Sequence, residues 1–245
     1  TAGGLVGGDQ LRINLALRPS SRCLITSVAA QKVYGSVGRS QLNPQGAWAQ
    51  QNVRADLEPG SDLEWLPQEL VLYANALFEQ NLSVTLPMDG SFLSAEIVRL
   101  GRTAANETLG QGCWRSGVQI QRRTPEGLRW ELVDRLEISN EALSATHGLN
   151  QQPVFGTLVW AAPFPLQTDR MNTLLDEVRK DREKLEGQMH CGVLPQGLIA
   201  RYSGFSSRDA RFWFSRIWAR TRQTRELAPP QIPRVWPLQE HPLRP

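Results

Sequence analysis

Apolar and polar residues alternate in short bursts along the first two-thirds of the chain. In QLRINLAL (10–17), Leu11, Ile13, Leu15 and Leu17 alternate with Arg12, Asn14 and Ala16. RCLITSV (22–28) is rich in strand formers, and NVRADLE (52–58) places Val53, Ala55 and Leu57 on one face before the turn signal PGSD. NLSVTL (81–86) repeats the pattern and ends at PMDG, and SGVQIQ (116–121) and LRWELVDRLEI (128–138) follow. A period of two punctuated by Gly and Pro predicts half-buried strands, hence an all-β body over 1–165 with no evident linker or internal repeat.

The period changes beyond residue 165. TDRMNTLLDEVRKDREKLEG (168–187) carries Met171, Leu174, Leu175, Val178 and Leu185 as a helical stripe. Thr168 or Asp169 serves as its N-cap and Gly187 as its stop. A second helix starts at Ser206, where Asp209 three residues on resembles a capping box. Its Ala210, Phe214, Ile217, Trp218 and Thr221 share a face, and Arg208, Arg211, Arg216, Arg220 and Arg222 crowd the remainder. The Pro-rich end is expected to be extended and exposed. The expected organisation is a single mainly β domain: a β body over 1–165, a helical region with short intervening strands over 166–228, and a tail over 229–245.

Composition narrows the class. The 245 residues are 40% hydrophobic and 21% charged, which suits a folded chain with a sizeable core. No apolar run is long enough to span a membrane, and no signal-peptide pattern is visible. Cys23, Cys113 and Cys191 are odd in number and scattered, as expected of free thiols in a reducing compartment. The net charge of +3 is uneven: nine arginines against three acids from Arg201 onward leave −3 on the first 200 residues.

Several chemistries are disfavoured. GGLVGGD (3–9) lacks the G-x-G-x-x-G spacing and leads into a strand, whereas phosphate cradles open a helix. There is no G-x-S-x-G, and His147, His190 and His241 are the only imidazoles available to a triad. Met189, His190 and Cys191 could touch a soft metal, but without a C-x-x-C they read as an ordinary segment. The arginine helix, with Trp213 and Trp218 interleaved, suits a protein partner better than nucleic acid. Its candidate contacts are Arg208, Arg211, Trp213, Arg216, Trp218 and Arg220.

The unusual feature is acids at apolar parity. Asp9 shares parity with Leu11 to Leu17, Glu69 with Trp65, Val71 and Tyr73, Glu96 with Phe92 and Val98, and Asp134 with Trp130, Leu132 and Leu136. Lys32 falls in phase with Tyr34 and Ser36. Buried carboxylates must be paired, hydrogen-bonded, hydrated or neutralised. One reading is structural, with Lys32 and backbone donors satisfying them. The other is a hydrated internal path whose sparse oxygens hold a divalent cation weakly, which suits transit and not storage.

GGLVGGD, AAQKVYGS, LEWLPQE, LGRTAANE, RYSG and PRVW, in this order from Gly3 to Trp236, resemble the urease accessory protein UreD family, called UreH in some systems. The resemblance implies an elongated, β-helix-like stack of strands with two helices in the C-terminal third. It implies a cytoplasmic scaffold or chaperone, not an enzyme. With UreF and UreG, such a scaffold docks on the urease apoprotein and helps deliver nickel through an internal channel. No cofactor would be bound stably; nickel would be in transit. A dimer of heterocomplexes through UreF is implied, with no membrane or nucleic-acid partner. On this resemblance Asp9, Glu69, Glu96 and Asp134 (paired in sequence with Arg135) fall at the family's polar positions, with Lys32, Tyr34 and Ser36 as channel or structural polar residues. Thr1 and Ala2 stand where the family has two prolines, Gly35 where it commonly has arginine, and family chains begin upstream, implying N-terminal truncation. The alternatives are a purely architectural scaffold without a metal path and a basic nucleic-acid module.

Overall fold

A computed structural model describes residues 3–238 and 240–243; Thr1, Ala2, Gln239, Arg244 and Pro245 lie outside the described residues. The strands of the first 124 residues wind as a parallel solenoid. One side of each coil is contributed by β1 (Gln10–Leu17), β4 (Ala49–Leu57), β7 (Leu77–Leu86) and β9 (Cys113–Thr124), which stack in parallel register. The other side is formed by β2 (Arg22–Ile25) and β3 (Gln31–Val33), then β5 (Asp62–Trp65) and β6 (Leu70–Leu72), then the unbroken β8 (Ser91–Leu100). The antiparallel β10 (Gly127–Ser139) closes the five-stranded sheet against β9. Antiparallel β11 (Val154–Ala161), β13 (Gly197–Gly204) and β12 (Gln188–Leu194) extend the eight-stranded sheet beyond β8. The result is the expected mainly β stack.

Each coil turns the corner in the same way. Leu17, Leu57 and Leu86 are buried at the strand ends, a proline follows (Pro19, Pro59, Pro87), and Ser21, Ser61 and Ser91 open the next side. Asp62 N donates to Ser21 O at 2.9 Å and Ser91 N to Ser61 O at 3.0 Å, so the corners themselves stack as a hydrogen-bonded ladder. Proline suits these corners because its fixed φ favours a turn and it has no N–H for a central strand.

The helices form a third layer. Behind α1 (Asn140–Ser144), a single short turn absent from the sequence expectation, come α2 (Thr168–Lys180) and α3 (Ser207–Thr224). They cover the outer face of the eight-stranded sheet, burying Leu93, Ile97, Leu158 and Trp160 against Leu174, Val178, Trp213 and Trp218. Ser206 caps α3 as expected, accepting from Asp209 N at 3.1 Å; the Asp209 carboxylate does not complete the box but takes Glu186 N at 3.2 Å. The cap of α2 is Gln167, and the helix stops at Asp181, short of Gly187. There Arg216 reaches across from α3 to the Asp181 and Glu183 carbonyls and supplies the donors a further turn would have used.

The expectation of an exposed tail is corrected. Trp236 is buried, its indole N–H donates to Thr26 Oγ1 at 2.8 Å, and its ring lies 6.2 Å from Trp218 and under the Arg211 guanidinium at 4.7 Å. Trp236→Ala is expected to cost about 3 kcal/mol in urea unfolding. It should also open the chain beyond Leu227 to protease at native conditions.

Two face assignments are also corrected. Trp130 is 51% exposed, because a bulge between Trp130 and Leu132 shifts the phase of β10 while leaving Leu132, Asp134 and Leu136 turned inward. Pro67 breaks the strand after Trp65, and the phase flips across it. Leu63 and Trp65 face the other sheet, and so do Leu70 and Leu72, which turns Glu69 away.

Candidate functional site

The space between the two sheets holds two apolar blocks. One gathers Val33, Leu72, Phe78, Leu100 and Trp114; the other gathers Leu57, Leu63, Leu86, Phe92 and Ile120. Between them lies a polar belt. Gln51, Gln80 and Ser116 are register partners across β4, β7 and β9, and Glu96 faces them from β8. Glu96 sits beside the gap that Pro67 opens between β5 and β6: β8 pairs Ser94 with Trp65 and Val98 with Leu70, and nothing on that side between.

Glu96 accepts a hydrogen bond from Gln80 Nε2, which also reaches Ser116 Oγ at 3.4 Å. Burial pushes its carboxyl up to about 7, partly opposed by the Gln80 and Ser116 hydrogen bonds. It lines a small cavity of about 30 Å³ that Asp134, Thr157 and Leu136 close at the far end, room for about two waters. A second cavity of about 330 Å³ shares Gln51, Trp65, Gln80 and Glu96 as walls and extends past Leu11, Ile13 and Leu15 to the β1 edge. Glu96 therefore stands between a space of about two waters and a much larger one, displaced from each other along the solenoid axis. Such a carboxyl can exchange a proton near neutrality and offer oxygens to a hard or borderline cation.

Asp134 faces the same cavity but is paired. Arg201 Nη2 donates to Asp134 Oδ2 at 2.7 Å, and Arg201 Nη1 donates to Thr157 Oγ1 at 2.7 Å. Its sequence neighbour Arg135 is exposed on the opposite face of β10. The other two acids are placed elsewhere. Asp9 precedes β1 and closes a turn, its Oδ2 accepting from Val6 N at 2.9 Å while Asp9 N donates to Val6 O at 3.0 Å. The glycines make that turn possible: Gly8 has φ +95°, and a Cβ on Gly7 would lie 2.2 Å from Ser36 Oγ. Glu69 accepts from buried Arg211 at 3.4 Å. Lys32 is exposed, Tyr34 donates to Gly3 O at 3.0 Å, and Ser36 is buried with its Oγ accepting from Ala47 N at 2.7 Å.

The α3 side chains that the sequence offers as partner contacts are largely engaged within the molecule. Trp213, Trp218 and Arg211 are buried. Arg220 grips Asp181 with two bonds of 2.9 and 3.0 Å, Arg216 binds the Asp181, Glu183 and Pro242 carbonyls, and Arg208 pairs with Asp209 and Glu240. The acids that meet the end of the helix escaped sequence reasoning. Asp62 and Glu64 in β5 are almost wholly buried, Arg222 holds Glu64 with bonds of 2.9 and 3.0 Å, and Arg225 lies 2.7 Å from Asp62. Their alternation with Leu63 and Trp65 resembles an ordinary exposed face, because the sequence does not reveal that this sheet is covered on both sides.

Met189 and Cys191 turn toward the helix layer, and His190 is exposed on the opposite face. Burial pushes the Cys113 thiol above its ordinary value, which keeps it protonated and a poor ligand. Among the described residues no three His, Cys, Asp or Glu side chains converge as a metal cage.

The fold and cavities define a three-layered β-solenoid with two acids, Glu96 and Asp134, on a small space between its sheets. A family model described as UreD urease accessory protein matches residues 1–237. The chain is 83% identical over its whole length to the urease accessory protein UreD of Synechococcus sp. (strain CC9311), covering 83% of that protein. It is 68% identical to that of Synechococcus sp. (strain WH7805) and 52% to that of Prochlorococcus marinus (strain NATL1A), again over its whole length and covering 78% and 80% of those proteins. The chain belongs to the UreD family of urease accessory proteins, and membership supports a role in urease maturation.

Proposed function

We propose that this chain is a non-catalytic, cytoplasmic scaffold that, with UreF and UreG, docks on apo-urease and passes nickel through its interior. The observation that carries this reading is Glu96, a carboxyl that lines two neighbouring spaces in a gap between apolar blocks. One flexible carboxylate with amide and hydroxyl neighbours, and no histidine or thiolate, holds Ni²⁺ loosely, which suits transfer. Asp134 is the next acid along this path, and Asp9 and Glu69 support it by fixing a turn and anchoring α3.

The test is nickel per urease active site after co-expression with the partners. Glu96→Gln is expected to lower nickel content several-fold while complex formation with UreF is unchanged. Normal nickel content in this variant removes the path. A second reading, pure architecture, is favoured by the way α3 spends its arginines inside the molecule; loss of UreF binding along with nickel would select it.

A further inference from the structure

We infer that Arg201 is a gate: its guanidinium bolts the two sheets together at the end of the Glu96 cavity, and a divalent cation leaves only when that bolt swings aside. This rests on the nickel path proposed above. Glu96, Thr157, Arg201 and His190 are register partners across β8, β11, β13 and β12, so they form one row across the eight-stranded sheet. The second and third residues of that row mark where the cavity stops. Arg201 bonds Thr157 within its own sheet and Asp134 on the facing sheet, both at 2.7 Å.

Three consequences follow from this geometry. First, a fixed positive charge stands just beyond Thr157 and Asp134, the far lining of the small cavity, and it occupies the Asp134 oxygen a cation moving that way from Glu96 would next use. Second, Arg201 is poised at the boundary: its side chain is 27% exposed and Asp134 16%, against complete burial for Arg122 deeper in the same sandwich. An arginine with one side in water can exchange its protein partners for solvent on that side, which a wholly buried one cannot do. Third, swinging Arg201 outward leaves Asp134 anionic and unpaired at the exit, so the same motion removes the repulsive charge and supplies an attractive one. The guanidinium also lies 5.6 Å from the Phe155 ring centroid, a contact within its own sheet.

The test loads the full chain with Ni²⁺ alone and follows its release to a chromophoric chelator by stopped flow. Arg201→Met is expected to release Ni²⁺ several-fold faster than the native chain, and Arg201→Lys at close to the native rate. Because Arg201→Met leaves Asp134 without its partner, the double variant Arg201→Met/Asp134→Asn controls for folding. It removes both charges and should still release faster than native. Unchanged release rates in both variants overturn the gate. Glu96→Gln separates the two readings: native-like Ni²⁺ loading in that variant, or no loading of the native chain, sinks the path itself, whereas reduced loading together with unchanged Arg201→Met kinetics sinks only the gate.

Discussion

Arg122→Met is expected to lower the free energy of unfolding by about 3–5 kcal/mol, the cost of taking one member out of a buried ion pair together with its bonds to buried carbonyls. In a chain of this length that corresponds to a fall in Tm of roughly 6–20 °C. Arg122 is wholly buried and projects from β9 into the sandwich. Its Nη1 donates to the carbonyls of Pro87, Met88 and Gly90 at 2.8–3.0 Å, its Nη2 to Ala162 O at 2.8 Å, and its Nε to Glu131 at 3.0 Å. One side chain thus ties the β7–β8 corner, the end of β11 and the β10 bulge to a single point. Burial pushes the guanidinium down from its ordinary value and the Glu131 charge pulls it back up. Methionine fills the space but leaves Glu131 with only the 2.6 Å bond from the half-exposed Arg129, and leaves several carbonyls short of donors. The double variant Arg122→Met/Glu131→Leu, which removes the buried carboxylate that Arg129 alone would have to neutralise, should recover part of the loss. Chemical denaturation of the three proteins measures this; a double variant no better than the single one would show that the carbonyl bonds, not the ion pair, dominate.

The second large effect is a stability difference that depends on pH. Burial raises the folded-state Glu96 carboxyl from 4.5 to about 7. A folded-state value above the unfolded one means that the native protein binds the extra proton. Stability from this group is therefore greatest below pH 4.5 and falls as pH rises to about 7, levelling beyond. The full cost is on the order of 3 kcal/mol. Glu96→Gln keeps the acceptor for Gln80 and removes the ionisation. It should therefore leave Tm nearly unchanged at pH 5 and raise it by several degrees at pH 8. Equal shifts at both pH values would mean that Glu96 is hydrated well enough to ionise at its ordinary value. The same ionisation makes cation uptake at Glu96 stronger toward pH 8, because below about pH 7 a proton competes for the oxygens.

Strand positions were legible where one face meets water and one meets the core. β1 begins and ends where QLRINLAL does, because it is an outer strand of a sheet with a polar outer face. The corner motif was not legible, because its spacing hides it: Leu17 to Leu57 is 40 residues and Leu57 to Leu86 only 29. The difference lies in the long connection of the first coil, so the repeat shows only once the corners are superposed. The eight-stranded sheet was harder. Covered by a sheet on one side and helices on the other, it has no polar face, and Asp62 and Glu64 occupy positions that resemble solvent-facing ones. Glu96 was found because it interrupts a run that is otherwise buried throughout. Arg201 was not, because its significance depends on Asp134 arriving from the other sheet, a pairing across 67 residues that no local pattern encodes.

The grip of Arg222 on Glu64 spans 158 residues, and that distance sets a schedule during synthesis. At ordinary ribosomal rates the interval between making the two residues is roughly 8–30 s. Any early coil that folds within that interval carries Asp62 and Glu64 on a face that α3 does not yet cover. Their negative charges keep the half-made chain from gluing that face to a neighbour, and the last helix, arriving with its arginines, cancels the repulsion and seals the surface.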